Sequence, residues 1–154
     1  MVCRVTVFSK TQNEITIKND KAMSCNCGRI IKKEITAGDT FAITYKHKQN
    51  NVIADMPEAY DLVIGLRREN GMAIASYSYQ DGEIKHEEGT GIYRWQISHE
   101  VSKSLNSDPT KKQIEVVIVE MTVYSADYSF VQHCNESIQL FVAPSYMNDV
   151  IDNG

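Results

Sequence analysis

The segment Tyr60-Asp61-Leu62-Val63-Ile64-Gly65-Leu66-Arg67-Arg68-Glu69-Asn70-Gly71-Met72-Ala73-Ile74-Ala75-Ser76-Tyr77-Ser78-Tyr79 decides the fold class. Two runs rich in aliphatic, β-branched and aromatic residues flank Glu69-Asn70-Gly71. Asn-Gly supplies the left-handed backbone that matches the twist of two paired strands. Tyr77 and Tyr79 are spaced by two, so they share one face of an extended chain, and no helical period competes with that pattern. The segment reads as a hairpin of residues 60–67 and 72–79.

The same period extends to both sides. Residues 2–8 alternate, with Cys3, Val5 and Val7 on one side; residues 14–18 resume after a polar turn with Ile15 and Ile17. The first twenty residues therefore read as a hairpin, either an arm or the edge of the main sheet. Residues 29–36 and 40–46 read as a second hairpin about Ala37-Gly38-Asp39, with Phe41, Ile43 and Tyr45 on one face. The polar stretch 49–59, with Pro57, reads as a surface connection under which Val52, Ile53 and Met56 tuck. Asp81-Gly82 turns the chain, 92–97 is an aromatic strand, and 99–105 is the one helical segment, with Ser98 as its N-cap. Residues 114–124, 130–131 and 137–142 supply the last strands.

About eight to ten strands at regular spacing imply an all-β fold, an antiparallel β-sandwich of immunoglobulin-like or jelly-roll-like type with one short helix. Residues 1–145 form the domain, with 1–20 as its N-terminal hairpin and 146–154 as a C-terminal tail. Its expected core includes Val63, Leu66, Ile74, Trp95, Ile97, Val117, Val119 and Leu140.

At 154 residues, 42% hydrophobic and 23% charged, the chain fits one ordinary soluble domain. Its formal charge of -4 argues against nucleic acid or an anionic membrane as partner. Lys10, Asn13 and Glu14 interrupt the N-terminal apolar pattern, so no signal peptide is expected and the protein should be made in a cytoplasm.

Chemistry has few places to sit. Cys25, Cys27, His133 and Cys134 are the one group of soft ligands that could gather zinc and support a small metal-dependent hydrolase, yet their spacing is irregular. The expectation is reduced thiols with no metal. His47, His86, His99 and His133 all have polar or charged neighbours and are expected on the surface. No nucleophile elbow, phosphate loop or cofactor motif occurs, so neither catalytic residue nor cofactor is expected and the protein is read as not an enzyme. Tyr77, Tyr79, Tyr93 and Trp95 could form a ring-bearing face for stacking sugars, which makes a carbohydrate-binding module the alternative function. Core packing is the competing fate of these rings.

From Glu34 onward the order of features resembles the N-terminal β-sandwich of bacteriophage upper-baseplate and related tail or fibre proteins. The matching features are Gly38-Asp39-Thr40-Phe41 leading into an alternating strand, the connection Ile53-Ala54-Asp55-Met56, and the strand that closes on Asn70-Gly71. Gly91-Ile92-Tyr93-Arg94-Trp95 before the short helix continues the series. The resemblance covers about three-quarters of the chain; the N-terminal hairpin and the following receptor-binding portion have no counterpart. It implies a non-enzymatic virion subunit in tail, baseplate or head-fibre attachment, partnered by other virion proteins and by itself as a homo-oligomer. Edge strands and terminal segments would make the contacts, with Val5, Val7, Ile15, Ile17, Tyr146 and Met147 as partner-binding candidates.

Overall fold

The computed structural model describes residues 2–9, 14–20, 29–49, 52–134 and 136–145. The strands are β1 (Val2–Ser9), β2 (Glu14–Asp20), β3 (Arg29–Thr36), β4 (Ala42–Lys46), β5 (Lys48–Gln49) and β6 (Val52–Ile53). They continue as β7 (Asp61–Arg68), β8 (Ala73–Ser78), β9 (Lys85–Glu87) and β10 (Ile92–Gln96). Helix α1 (His99–Lys103) and a 3₁₀ turn (Pro109–Lys111) precede β11 (Glu115–Tyr124), β12 (Val131–His133) and β13 (Glu136–Ala143). Among the described residues no helix is long and apolar enough to cross a membrane.

One sheet runs β1-β2-β4-β10-β9 and the other β3-β13-β11-β7-β8, with β12 beside the far end of β11. Their inward rows interlock in one core: Ile43, Tyr45, Tyr93 and Trp95 from the first sheet, Leu62, Ile64, Leu66, Val117, Val119, Ile138 and Leu140 from the second. This is the all-β sandwich, with pairing mostly antiparallel. Two pairs are parallel, β2 with β4 and β3 with β13, so each sheet is mixed.

The Asn70-Gly71 hairpin forms as read: Gly71 adopts φ 91° and the Asn70 carboxamide oxygen accepts from Met72 N. The second expected hairpin does not. β3 and β4 belong to different sheets, and residues 37–41 carry the chain between them. Ala37 N is drawn to Ala143 O, Gly38 turns at φ 97°, and α1 clamps the corner. Ser102 Oγ accepts from Gly38 N and donates to Asp39 O, while His99 Nδ1 bonds Gly38 O. Ser98 caps α1 by accepting from Val101 N. Arg68 then ties the helix end to the second sheet, donating to Leu105 O, to Ser104 O at 3.0 Å and to Glu115 at 2.9 Å.

Leu66, Trp95, Ile97, Val117, Val119 and Leu140 are core as expected. Val63 is not, because Leu66 lies an odd number of residues away and the two must face opposite sides; Leu62 and Ile64 take the inward positions. Ile74 is half-buried, at the point where the register of β8 slips by one residue. Val52 and Ile53 do not tuck under the connection: they are 64% and 46% exposed, while Met56 is buried.

Trp95 packs edge-on against Phe41 at 6.1 Å and, tilted by 36°, against Tyr77 of the other sheet at 4.8 Å. Trp95→Ala should therefore cost roughly 3–5 kcal/mol in urea unfolding, whereas Val63→Thr on the outer face should stay within about 1 kcal/mol. Equal losses at the two positions would contradict this assignment of faces.

Candidate functional site

A cluster of polar groups gathers where the connection after β6 meets β9 and β10. Ala54 N bonds His47 O and His47 N bonds Gly91 O, so the connection lies against the start of β10. Asp55 follows. Its Oδ1 accepts from Gly91 N at 2.7 Å and from His86 Nε2 at 2.8 Å, and its Oδ2 accepts from Gly89 N at 2.7 Å. The Gly89 amide, the His86 bond and the Gly91 amide together hold the Asp55 carboxyl at about 2.

His86 lies flat on Tyr93, ring centres 4.2 Å apart at 7°, and Tyr79 meets both rings edge-on. The phenol of Tyr93 is inside the core and accepts from Met56 N at 2.8 Å; burial pushes its pKa up to about 12. Behind Tyr93 lies Tyr45, whose hydroxyl shares a 2.8 Å hydrogen bond with His47 Nδ1. His47 is only 2% exposed, which corrects the expectation of a surface histidine. Burial lowers its pKa to about 4 against the opposing pull of the Asp55 charge.

An open cleft of about 820 Å³ lies over this cluster, lined by Asp55, Glu58, Tyr79, His86, Glu88 and Tyr93 among others. Asp55 orients the imidazole through Nε2, leaving Nδ1 toward the Tyr79 hydroxyl at 3.5 Å. The carboxylate also clamps the turn between β9 and β10 onto the connection. The hydrogen bonds of Asp55 are therefore those of a structural latch.

The four rings singled out for ligand stacking do not form an exposed face. Tyr93 and Trp95 are 2% and 3% exposed, and Tyr77 and Tyr79 are half-buried against the same core. Inward-facing strand positions between two sheets commit Tyr93 and Trp95 to the core, while Tyr79 also borders the cleft over Asp55. The expectation of reduced thiols is corrected at one position. Cys134 is disulfide-bonded, so it is neither a reduced thiol nor a metal ligand; Cys25 and Cys27 lie outside the described residues. His133 is exposed and bonds Thr122 Oγ1. Among the described residues no group of three or more His, Cys, Asp or Glu is placed to hold a metal ion.

For the partner-binding candidates, β1 is the edge of its sheet and β2 lies inside it, with Val5 opposite Ile17, Ile15 beside Ile43 and Ile17 beside Tyr45. Tyr146 and Met147 lie outside the described residues.

A second built feature is the turn between β11 and β12. Asp127 Oδ1 accepts from Ser125 Oγ, Ser129 N and Ser129 Oγ, while Ser125 N bonds Phe130 O. This network holds Tyr128 at φ 60°, a conformation that costs on the order of 1 kcal/mol or more for a side chain of this size. Its ring is 69% exposed and stacks on Tyr124 at 5.4 Å and 14°. Neither Asp55 nor Tyr128 stood out in the sequence; a Gly-x-Gly at 89–91 and a Ser-rich turn at 125–129 were the available signals.

No family model matches the chain, and no curated protein matches it in sequence. In structure it is similar to the N-terminal domain of phage TP901-1 ORF48, with a TM-score of 0.44 and 11% identity over 84% of this chain and 98% of that one. It is also similar to the bradyzoite-specific antigen BSR4 of Toxoplasma gondii, with a TM-score of 0.40 and 10% identity over 93% of this chain and 51% of that one.

Two outcomes test the latch. A Cβ on Gly91 would lie 2.8 Å from Ala54 O at φ +69°, whereas one on Gly65 meets nothing within 4 Å. Gly91→Ala should destabilise by more than about 1 kcal/mol, and Gly65→Ala by less than that or not at all. His47 supplies the other. Unfolded it titrates near 6.5 and folded near 4, so between those values only the unfolded chain binds the proton. Stability is full above pH 6.5 and falls toward pH 4, by an amount on the order of 3 kcal/mol. His47→Gln should flatten that slope in denaturant titrations; an unchanged slope would refute the assignment.

Proposed function

We propose that this chain is a non-enzymatic structural subunit of a bacteriophage particle, made in the host cytoplasm and docked to other particle proteins through its sheet edges. The observation that carries the docking reading is the pair of long outer strands. β1 and β3 have 8 residues each, and each pairs on one side only among the described strands. A free strand edge of that length is a template for strand addition, with main-chain hydrogen bonds giving affinity and alternate side chains giving specificity. β3 also carries Arg29, Lys32 and Lys33 on a chain of net charge -4, which favours an acidic strand as its partner. The particle assignment is supported by the sequence resemblance, and the non-enzymatic reading by Asp55 and His86 acting as a latch.

Two of the other readings lose their support. Of the rings a carbohydrate face would draw on, Tyr93 and Trp95 are core and Tyr77 and Tyr79 are half-buried, and a zinc hydrolase would need the sulfur of Cys134, which is in a disulfide. The experiment is peptide mass spectrometry of density-purified particles. The protein should be present at a fixed ratio to the other structural proteins, and Lys32→Glu should lower its incorporation more than about tenfold with its circular dichroism unchanged. Absence from washed particles would overturn the proposal.

A further inference from the structure

Tyr128 combines features that a purely structural residue does not need. Its backbone is held in the left-handed region by a dense hydrogen-bond network, yet its ring contributes little to the core and is 69% exposed. Strain kept in place by surrounding bonds marks a position whose side chain is being presented. The presented surface, called the knob below, is Tyr128 stacked on Tyr124, with exposed Val131 opposite Tyr124 across the β11–β12 pair. Exposed tyrosines of this kind serve as anchors in protein contacts. The knob is acidic, since Asp127 stands beside Tyr128 and the Asp81 charge also acts on Tyr124.

Charge distinguishes the clefts formed by the described residues. The cleft over Asp55 is lined by Glu58 and Glu88, and the one beside Phe141 by Glu34 and Asp39, so both would repel the knob. The cleft beside Cys134 holds Glu120 and His133. By contrast, among the described residues the depression between β9 and β10, about 360 Å³, is lined by Lys85, Arg94 and Glu83 together with Gln96, Ile97 and Ser98. That volume lies at the lower end of sites that take small organic groups, roughly 300–1,000 Å³.

We propose that the Tyr128 knob of one copy seats in the Lys85–Arg94 depression of a second copy of this chain. The inference rests on the docking reading and names one partner, a like subunit. Knob and socket are different surfaces, so the contact is head-to-tail and propagates into a ring or a filament. Because opposite charges meet at it, the contact weakens as salt rises.

Sedimentation velocity of the full chain, alone and in mixtures, tests this. Wild type should associate with rising concentration, and less so at high salt. Tyr128→Asn removes the ring but suits the left-handed backbone, so its melting temperature should hold or rise while association weakens more than about tenfold. Lys85→Glu should weaken association similarly with the fold intact. A mixture of the two variants is the sharpest test. Each retains the half that the other lacks, so together they should form a one-to-one dimer that grows no further. A wild type that stays monomeric, variants that associate normally, or a mixture that stays monomeric would each overturn the inference. A monomeric wild type whose Tyr128→Asn variant drops out of particles would assign the knob to another particle protein instead. Docking through β1 and β3 is read separately, by particle content.

Discussion

A phenol buried between two sheets must find a hydrogen-bond partner or forfeit the solvation it lost. Tyr93 meets that condition by accepting from Met56 N, and the consequences spread outward. Fixing Met56 fixes Asp55 beside it, and Asp55 gathers the amides of Gly89 and Gly91 together with the His86 ring. His86 then covers the face of Tyr93. One buried hydroxyl thus closes the end of the sandwich and joins the connection before β7 to the turn before β10. The same burial explains why His47, next to Tyr45 in the same cluster, stays neutral at ordinary pH.

What could be read from the sequence follows the distance over which each choice is made. The Asn70-Gly71 hairpin was legible because the turn chemistry and both strands lie within twenty residues. The β3–β4 corner was not, since Ala37-Gly38-Asp39 looks like a hairpin turn until Ala143 and Ser102 claim its polar groups. Val63 and Leu66, three residues apart on one strand, face opposite sides, so only Leu66 of the two reaches the core. Asp55 was invisible as a hub because its partners lie 31 to 36 residues away, and a lone Asp in a polar connection carries no signal of its own. The aromatic spacing of Tyr93 and Trp95 was read correctly as one face; which face met the other sheet required the second sheet.

The sheet edges are managed unequally. β9 carries Lys85, His86 and Glu87, and β8 is interrupted by a register slip near Ile74 and covered at Ser78 by the Glu83 side chain. Charges, bulges and side-chain covers are ways of refusing an unwanted strand. β3 carries charge as well, at Arg29, Lys32, Lys33 and Glu34, three of the four positive.

Both long edges come from the first 36 residues, and both enter their sheets by parallel pairing, β2 onto β4 and β3 onto β13. Parallel pairing requires a long crossover, so these strands add to surfaces made by residues distant in sequence. Beneath them lie β4 and β13, whose inward rows Ile43, Tyr45, Ile138, Leu140 and Val142 belong to the central core. Removing the N-terminal hairpin would leave β4 as a new edge and create an adhesive surface the intact protein lacks. A truncated chain would then associate for reasons unrelated to its native contacts. Single reversals of charge on an existing edge leave the sheets complete, and for that reason they separate docking from folding where deletion does not.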